Sequence, residues 1–561
     1  MSETSQTHTQ HGLPRGAALT VLALTVFICL FGHLGAIGLV GPDEPRYAWI
    51  ARAMAETGDW VTPRLYGQPW FEKPILYYWA AALGFLLHLP AEWAARLPSA
   101  IAAFAAALAI GWLGWKHYGN DARIEQSPAL LAPLLFSSSV AAVGFARAGT
   151  PDMLFSAAIA LAMASAASVL RSAGALRAAD AASEARRSEF FAPLLFGAFL
   201  GLAVLAKGPA AIVLAGGALI FWALATRQWR ATLRFAHPLA IVAFCVVALP
   251  WYVVCALRNP DFLRIFFFQH NFERYLTPLF QHRQPFWFFG PIVLLALLPW
   301  TAFLWPAARE GFRLWREHSW ANSPGFFFAC WAIVPVVFFS FSQSKLPGYI
   351  LPAIPPLALL CSVGAVRAFR GSRAAAVSIA AAIGLTWLGL GIVALRLAHR
   401  IPWTSYSPDH TSRLVSHGEY AALFLGVLVA LLVFAAGFYR KPYYVIASCA
   451  LSVVACVEVA NLGILPILDR FESARSHAQF MRNDQRQDRI FTYRLRRDWN
   501  YGLAFYFHRE LLEWSPSDPD AALVLTTPAG LEEIRKLGRF RGALDEPYVG
   551  VLYVPINRVR R

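Results

Sequence analysis

The chain is dominated by apolar segments that are each about as long as a membrane-spanning helix. Such a helix needs roughly 20 apolar residues to cross a hydrocarbon core of about 30 Å. Of the 561 residues, 57% are hydrophobic and only 15% are charged, against about 25% in a soluble globular domain. We therefore predict an α-helical polytopic membrane protein, with spans near 17–40, 93–115, 128–146, 152–170, 190–206, 208–226, 236–257, 286–306, 323–341, 346–366, 374–396, 419–438 and 442–464.

This pattern predicts about thirteen spans, and twelve is the alternative count because several segments are short. The polar N-terminal stretch carries one arginine and no small-residue cleavage site, so we expect the first span to be retained. All seven cysteines lie in apolar runs without a CxxC spacing, which predicts neither a disulfide nor a thiol cofactor.

The charges of the loops predict the orientation of the chain. Alternate loops are basic, as the positive-inside rule requires of cytoplasmic loops. This places the N-terminus in the cytoplasm and the long loops 41–92, 258–285 and 397–418 outside. The net charge of +16 is thereby assigned to loops facing an anionic leaflet. The sequence has no basic patch with interleaved aromatic residues, so we expect no nucleic-acid partner.

The composition changes after residue 465. Charged residues become frequent, and apolar runs shrink to strand length, as in ALVLTT at 522–527 and VGVLYVPI at 549–556. We predict a transmembrane catalytic domain over 1–465 and a small α/β domain over 466–561, which an odd number of spans places outside.

The first external loop opens with GPDEPRYAWIARAMAETGDW at 41–60. Its apolar residues recur at helical spacing, which predicts a helix along the membrane surface. Asp43, Glu44 and Arg46 stand at its start, and Glu72 and Lys73 follow in WFEKPILYYW. A purely structural alternative is that one carboxylate caps the helix while the other pairs with Arg46.

Four further external loops carry ionisable groups at nearly the same membrane depth. Asp152 in ARAGTPDMLF has an alternative role as a helix cap, and Lys207 in LAKGP has one as a snorkelling lysine. Ionisable residues at membrane depth are costly and usually functional, so together these loops indicate a lined cavity. The other two loops are FFFQHNFERY, with His270, Asn271, Glu273 and Arg274, and QSKLPGYILP, with Lys345 and Tyr349.

In this order the motifs DEPRYA, FEKP, ARAGTPDMLF, LAKGP, FFFQHNFERY and SKLPGYILP resemble those of bacterial lipid A aminoarabinose (4-amino-4-deoxy-L-arabinose) transferases. These belong with the protein O-mannosyltransferases among the GT-C glycosyltransferases. The resemblance covers most of the chain, although Trp70 stands where relatives often have tyrosine. It implies a GT-C bundle in the bacterial inner membrane, with the active site and the C-terminal domain in the periplasm.

The resemblance also implies substrates and residue roles. The donor would be undecaprenyl-phosphate-linked aminoarabinose and the acceptor a lipid A phosphate. The phosphate that leaves the donor gains negative charge, so cations around it would accelerate the step. The implied catalytic residues are Asp43, Glu44 and Asp152; the implied donor-phosphate ligands are Lys73, Arg274, Lys345 and Tyr349; the other cavity residues are Arg46, Glu72, Lys207, His270 and Asn271.

Two roles for Asp43 stay open at this level. An acceptor phosphate, with a second pKa of about 6, is already largely ionised near neutral pH and needs no strong base. Asp43 would then stabilise the oxocarbenium-like sugar or its amino group. A hydroxyl acceptor on a protein or another glycan, the alternative function, would need Asp43 as a general base.

No cofactor is required by this chemistry. Glu72 and His270 are a candidate carboxylate–imidazole pair for a divalent metal such as zinc, although zinc sites usually have three or four protein ligands. We expect a monomer surrounded by membrane lipids.

A lipid or solute transporter is the less favoured alternative. Transporters favour charges near the bilayer midplane and repeated halves. Glu458 is the obvious charge within a predicted span, close to its outer end, and no halves of the sequence match.

Overall fold

The chain folds into a bundle of helices followed by a small mixed sheet. This architecture comes from a computed structural model, which describes residues 15–119, 124–168, 178–276, 283–398, 411–439, 441–481, 490–515, 523–537 and 551–555. The helices of the first half are α1 (Arg15–Phe31), α2 (Asp43–Thr57), α3 (Leu76–Leu86), α4 (Ala91–Tyr118), α5 (Pro128–Ser137), α6 (Val140–Ala146), α7 (Asp152–Ala167), α8 (Ala178–Lys207), α9 (Ala210–Thr226), α10 (Trp229–Leu233), α11 (Pro238–Arg258) and α12 (Arg274–Leu276).

The second half continues the bundle and ends in short helices of the C-terminal region. Its helices are α13 (Phe289–Ala296), α14 (Leu304–Arg316), α15 (Pro324–Ser340), α16 (Ile354–Arg370), α17 (Arg373–Ala398), α18 (Thr411–Phe438), α19 (Pro442–Val459), α20 (Leu465–Glu472), α21 (Arg475–Met481), α22 (Arg497–Phe507) and α23 (Pro528–Lys536). Two segments are π-helical, Arg264–Glu273 and Ala460–Ile464.

Among the described residues, six helices are long and apolar enough to cross a membrane, or eight spans if each of two bent helix pairs counts as one. Each predicted span overlaps one of these or a shorter apolar helix of 10–17 residues, although the first predicted span, 17–40, is helical only as far as Phe31. The membrane-spanning helical class is thus confirmed, whereas the count of thirteen stays a prediction. One further apolar helix, α3, lies inside the predicted external loop 41–92.

Two predicted spans are bent rather than straight. The segment 128–146 bends by 61° between α5 and α6, and 286–306 lies within a pair that bends by 107°. The first bend has a local cause, because the Ser139 side chain accepts a hydrogen bond from the Ala142 amide at 3.3 Å and so caps a new helix. Trp300, at the second bend, donates its indole N–H to Ser138 Oγ at 2.9 Å. The two bends are therefore tied to each other in the core.

The helix predicted in the first external loop is present as α2, most of whose residues are buried within the protein, while its place along the membrane surface stays a prediction. It ends at Gly58, whose φ of 72° is the left-handed conformation that glycine adopts at helix C-termini. A two-stranded hairpin of β1 (Arg64–Leu65) and β2 (Gln68–Pro69) follows and leads into α3. This path returns Glu72 and Lys73 to the start of α2.

The C-terminal sheet has three strands, β3 (Ile490–Tyr493), β4 (Leu523–Thr526) and β5 (Leu552–Pro555). The central strand β4 is parallel to β3 and antiparallel to β5. Strands β4 and β5 lie in the two apolar runs from which strands were predicted. The domain boundary at 465/466 stays a prediction.

His477 makes the stability of the C-terminal region depend on pH. Its side chain is fully buried, and burial lowers its pKa to about 4. The unfolded chain binds a proton below about pH 6.5, while the folded chain does not until about pH 4. We expect the stability of this region to fall by about 3 kcal/mol as the pH is lowered through that window.

Hydrogen exchange of residues 490–515 in the whole protein measures this effect. The control variant is His477→Phe, which keeps an aromatic ring against Trp499, whose ring centroid lies 5.0 Å away. The protection factors, which are corrected for the intrinsic pH dependence of amide exchange, should no longer change between pH 4 and 6.5 in the variant. An unchanged dependence would assign the titration to another group.

Candidate active site

A buried ion pair between α2 and α4 forms the base of the site. Arg96 donates from Nε and Nη2 to the two carboxylate oxygens of Glu44, at 3.0 and 2.7 Å. The same carboxylate accepts the amides of Gly149 at 2.6 Å and Val40 at 3.0 Å. Four donors therefore saturate the carboxylate. Glu44, predicted to be a catalytic residue, joins three segments of the chain through these hydrogen bonds, and we call it an anchor in that sense.

Asp43, the preceding residue, is oriented quite differently. Its side chain is 52% exposed and accepts a hydrogen bond from Arg46 Nη2 at 2.5 Å. It also lines a cavity of about 410 Å³, together with His33, Arg147 and other residues of the α1–α2 loop, α4 and α6. Asp43 is thus held by one cation yet stays accessible.

Arg46 connects the two carboxylates of the first external loop. Its Nη2 lies 3.0 Å from Glu72 Oε2 as well as 2.5 Å from Asp43. Burial opposes its charge, but the groups around it, Glu72 and Asp43 among them, raise the pKa of Arg46 above its usual value. Arg46 is therefore a permanent, buried positive charge.

Three buried donors near Arg46 have no hydrogen-bond partner within the described part of the chain. They are Arg46 Nε, the indole N–H of Trp70 and the hydroxyl of Tyr78. The Trp70 ring lies 5.4 Å from the guanidinium carbon of Arg46, and Tyr78 interacts electrostatically with Glu72 and Asp43. Leaving a buried donor unsatisfied costs about 1–3 kcal/mol, so this cluster favours a polar ligand.

A second charge pair lies on the other side of Glu72. Lys73 is 3.4 Å from Glu72 and interacts electrostatically with Asp152, at the start of α7. Asp152 forms an ion pair with Lys207, whose ammonium lies 5.0 Å from the ring centroid of Tyr349. The helix-cap and snorkelling interpretations of Asp152 and Lys207 are replaced by this pairing.

The segment before α16 approaches α7 closely. A Cβ at Gly348 would lie 2.8 Å from the Phe145 ring, so a larger residue there would push against that ring, and it would touch Asp152 Oδ1 at 3.4 Å. Lys345 is buried and donates to the carbonyls of Ser342 at 2.6 Å and Gln284 at 3.0 Å. Burial also lowers its pKa.

Seven of the expected residues are thus linked in one network of contacts. Lys345 and Tyr349 share the segment 345–349, and Tyr349 contacts Lys207. The side chains of Asn271 and Arg274 lie outside the described residues, so their expected roles stay predictions. The linked residues are Asp43, Arg46, Glu72, Lys73, Asp152, Lys207 and Tyr349.

The metal pair is likewise untested. His270 lies in the π-helical segment Arg264–Glu273. Over the ranges that the structure describes, no group of three or more His, Cys, Asp and Glu side chains could hold a metal ion. Glu72 already lies beside the two cations Arg46 and Lys73. The pair Glu72 and His270 stays a prediction.

Sequence reasoning missed Arg96 and Tyr501. Arg96 lies within the predicted span 93–115, so Glu458 is not the only obvious charge in a predicted span. Ionisable residues inside a span are usually functional, and this signal could have identified Arg96. Tyr501, on α22, places its ring 5.5 Å from the guanidinium carbon of Arg46. No local sequence pattern pairs residues 455 positions apart.

Comparison with known proteins identifies the fold and the family of the chain. Residues 17–266 match the family described as dolichyl-phosphate-mannose-protein mannosyltransferase. The crystal structure of ArnT from Cupriavidus metallidurans bound to undecaprenyl phosphate superimposes with a TM-score of 0.75 at 24% identity, covering 96% of this chain and 98% of that one. The fold and the charged site together define a membrane glycosyltransferase of the GT-C class.

Two sequence relatives narrow the class. The undecaprenyl phosphate-alpha-4-amino-4-deoxy-L-arabinose arabinosyl transferase of Edwardsiella ictaluri is 33% identical over 64% of this chain and 61% of its own length, just under two thirds. The corresponding transferase 1 of Sodalis glossinidius is 33% identical over 74% of this chain and 70% of its own. The chain belongs to the family of undecaprenyl phosphate-aminoarabinose arabinosyl transferases, as its motifs predicted.

The Asp152–Lys207 pair yields a prediction about stability. Removing one partner of a buried ion pair leaves an uncompensated charge and costs about 3–5 kcal/mol, whereas replacing both is often nearly neutral. Because both side chains here are partly exposed, we expect Lys207→Met to cost about 2 kcal/mol. Asp152→Asn combined with Lys207→Met should recover most of that loss.

Thermal unfolding in detergent measures this double-mutant cycle. Additive losses from the two substitutions would show that the pair contributes no coupling free energy.

Proposed function

We propose that the protein transfers 4-amino-4-deoxy-L-arabinose from undecaprenyl phosphate to a phosphate group of lipid A. The observation that carries this proposal is the accessible carboxylate of Asp43, which borders a cavity and is linked through Arg46 and Glu72 to Lys73. A sugar site beside a carboxylate and a donor-phosphate site beside cations are the two parts that this reaction needs.

The reaction exchanges one phosphate for another at the anomeric carbon. An acceptor phosphate oxygen attacks that carbon, the bond to the donor phosphate breaks, and undecaprenyl phosphate leaves with the electron pair. Negative charge grows on the departing oxygen, so Lys73, and Lys345 if it turns toward the substrate, would stabilise the transition state. Arg274 and Tyr349 stay candidates for the same role.

Asp43 acts on the sugar in this scheme. The attacking phosphate is already ionised, so the carboxylate stabilises positive charge on the oxocarbenium-like carbon or on the sugar amino group. Arg46 and Glu44 act indirectly, since Arg46 orients Asp43 and Glu44 holds the loop. The hydroxyl of Tyr78 and the indole N–H of Trp70, which have no hydrogen-bond partner among the described residues, are suited to bind sugar hydroxyls.

A protein or glycan hydroxyl is the second candidate acceptor. The match of residues 17–266 to a protein mannosyltransferase family favours it, because that range includes Asp43, Lys73 and Asp152. Asp43 would then be the general base. Mass spectrometry of the modified acceptor separates the two functions.

We further propose that the protein lies in the bacterial inner membrane as a monomer, with its N-terminus in the cytoplasm. The charged site and residues 466–561 would face the periplasm, where the headgroups of both lipid substrates are accessible. The basic alternate loops support this orientation. No step above requires a metal.

Asp43→Asn should lower turnover about 100-fold or more, because the substitution keeps the shape of the side chain and removes its charge. The assay follows transfer from a synthetic lipid-linked aminoarabinose to lipid A in detergent. Asp261→Asn is the matched control, since Asp261 is an exposed carboxylate paired with Arg264 at 3.1 Å. Wild-type turnover by the Asp43 variant would remove this carboxylate from the mechanism.

The same variant has an expected effect in cells. Lipid A should gain the mass of one or two aminopentose units with the wild-type protein and none with Asp43→Asn. The aminosugar cancels negative charge, so polymyxin tolerance should fall in the variant. Unmodified lipid A alongside a glycosylated periplasmic protein would favour the hydroxyl acceptor.

Lys73→Ala should weaken binding of undecaprenyl phosphate. A charge-assisted hydrogen bond to phosphate contributes about 1.5–3 kcal/mol, which corresponds to about 10- to 150-fold in affinity. Lys116→Ala is the matched control, because Lys116 lies at the far end of α4 against Trp112. Equal affinities of wild type and the Lys73 variant would place the donor phosphate elsewhere.

A further inference from the structure

The C-terminal region reaches into the charged site through helix α22. Its Tyr501 ring lies 5.5 Å from the guanidinium carbon of Arg46, beside the rings of Tyr47 at 5.1 Å and Trp70 at 5.4 Å. Tyr501 packs against the main core of the bundle, whereas Trp499, two residues earlier, belongs to the separate core of the C-terminal sheet. One helix therefore carries a residue of each core.

Aromatic rings and carboxylates contact different parts of a guanidinium and so restrict its movement in different directions. Carboxylates accept hydrogen bonds from the N–H groups at its edge, while rings stack on its faces. Arg46 uses Nη2 for Asp43 and Glu72 and lies against three rings. Two of those rings come from the first external loop, and Tyr501 alone among the three is brought by α22.

The same C-terminal region also holds the loop that leads to Asp43. Asp469 accepts the amide of Gly38 at 2.6 Å, and Arg475 donates to the carbonyl of Gly35 at 3.0 Å. The Tyr506 hydroxyl accepts the amide of Leu39 at 2.8 Å. The backbone before Asp43 is thus bonded to α20, α21 and α22.

Helix α22 contacts α2 at a second point, one to two turns further along. Arg52 donates to the carbonyl of Phe505 at 3.0 Å and lies 4.3 Å from its ring centroid. Tyr501 and Phe505 are four residues apart and so share one face of α22. That face lies along α2, and its first residue is the one that meets Arg46.

From this geometry we propose that Tyr501 is a positioning residue for sugar transfer. Its ring holds the Arg46 guanidinium in the plane that orients Asp43 and Glu72, so the C-terminal region completes the active site. This inference rests on the proposed transferase function and adds to it a residue far from the family motifs.

The test compares three full-length variants in detergent. Tyr501→Leu removes the ring, and Tyr501→Phe keeps the ring while removing only the hydroxyl. Trp499→Phe is the matched control on the same helix, because Trp499 packs against His477 and has its contacts in the C-terminal core. For each variant, kcat and the KM for the lipid-linked donor are measured, together with the thermal unfolding temperature.

We expect Tyr501→Leu to lower kcat about tenfold, with the donor KM changed less than threefold. Tyr501→Phe should stay within twofold of wild type. Trp499→Phe should lower the unfolding temperature and leave kcat within twofold. A kcat within twofold for Tyr501→Leu, or an equal loss in Tyr501→Phe, would overturn the positioning role.

A second measurement does not depend on activity. Hydrogen exchange of residues 41–50 should be at least fivefold faster in Tyr501→Leu than in wild type and unchanged in the other two variants. Wild-type protein that transfers no sugar would contradict the proposed function. Hydrogen exchange would then still test, without reference to activity, whether the Tyr501 ring holds the start of α2. Unchanged exchange in Tyr501→Leu would show that its ring does not hold the start of α2.

Discussion

The buried pair of Arg96 and Glu44 is the constraint on which the site depends. A buried charge is tolerated only when its hydrogen-bonding groups are satisfied. Besides Glu44, the guanidinium donates to the carbonyls of Leu34, Ile37 and Gly38, each at 2.7 Å. A single side chain of α4 therefore holds three backbone carbonyls of the chain between α1 and α2. Both Glu44 and Asp43 line the cavity, but Glu44 is buried and saturated by its donors, so Asp43 is the exposed carboxylate of the two.

The charges around Asp43 form an alternating series rather than a cluster of one sign. Asp43, Arg46, Glu72, Lys73, Asp152 and Lys207 each have a neighbour of opposite charge. Such a series keeps several ionised groups in a partly buried site without strong net repulsion. It also suits a reaction in which positive charge grows on a sugar while negative charge grows on a phosphate. Pairing stabilises the resting site, and the developing charges of the substrate can then attract members of either sign.

The contacts of the C-terminal region change what the motifs alone suggested. The family motifs all lie before residue 353, yet residues of the C-terminal region contact both the first external loop and the segment that leads to it. Tyr501 contacts Arg46, and the segment between α1 and α2 is bonded to Asp469, Arg475 and Tyr506. Helix α2 has a low overall hydropathy, so a membrane surface alone would hold it weakly. Contacts with α22 on one side and with Arg96 on the other explain how it presents one carboxylate reproducibly.

The sequence by itself determined the membrane class, the positions of the apolar segments, the helix that begins with DEPRYA and two of the three C-terminal strands among the described residues. Those features depend on composition and on periodicity within about 20 residues, which can be read locally. It also identified the family, because short motifs keep their order along the chain. The tertiary structure decided which carboxylate is an anchor and which is accessible, since Asp43 and Glu44 are adjacent and alike in sequence. Their roles differ because Glu44 pairs with Arg96, whereas Asp43 pairs with Arg46, which Tyr501 contacts. Arg96 lies 52 positions from Glu44 in the chain and Tyr501 lies 455 from Arg46. Only folding brings such distant side chains into contact.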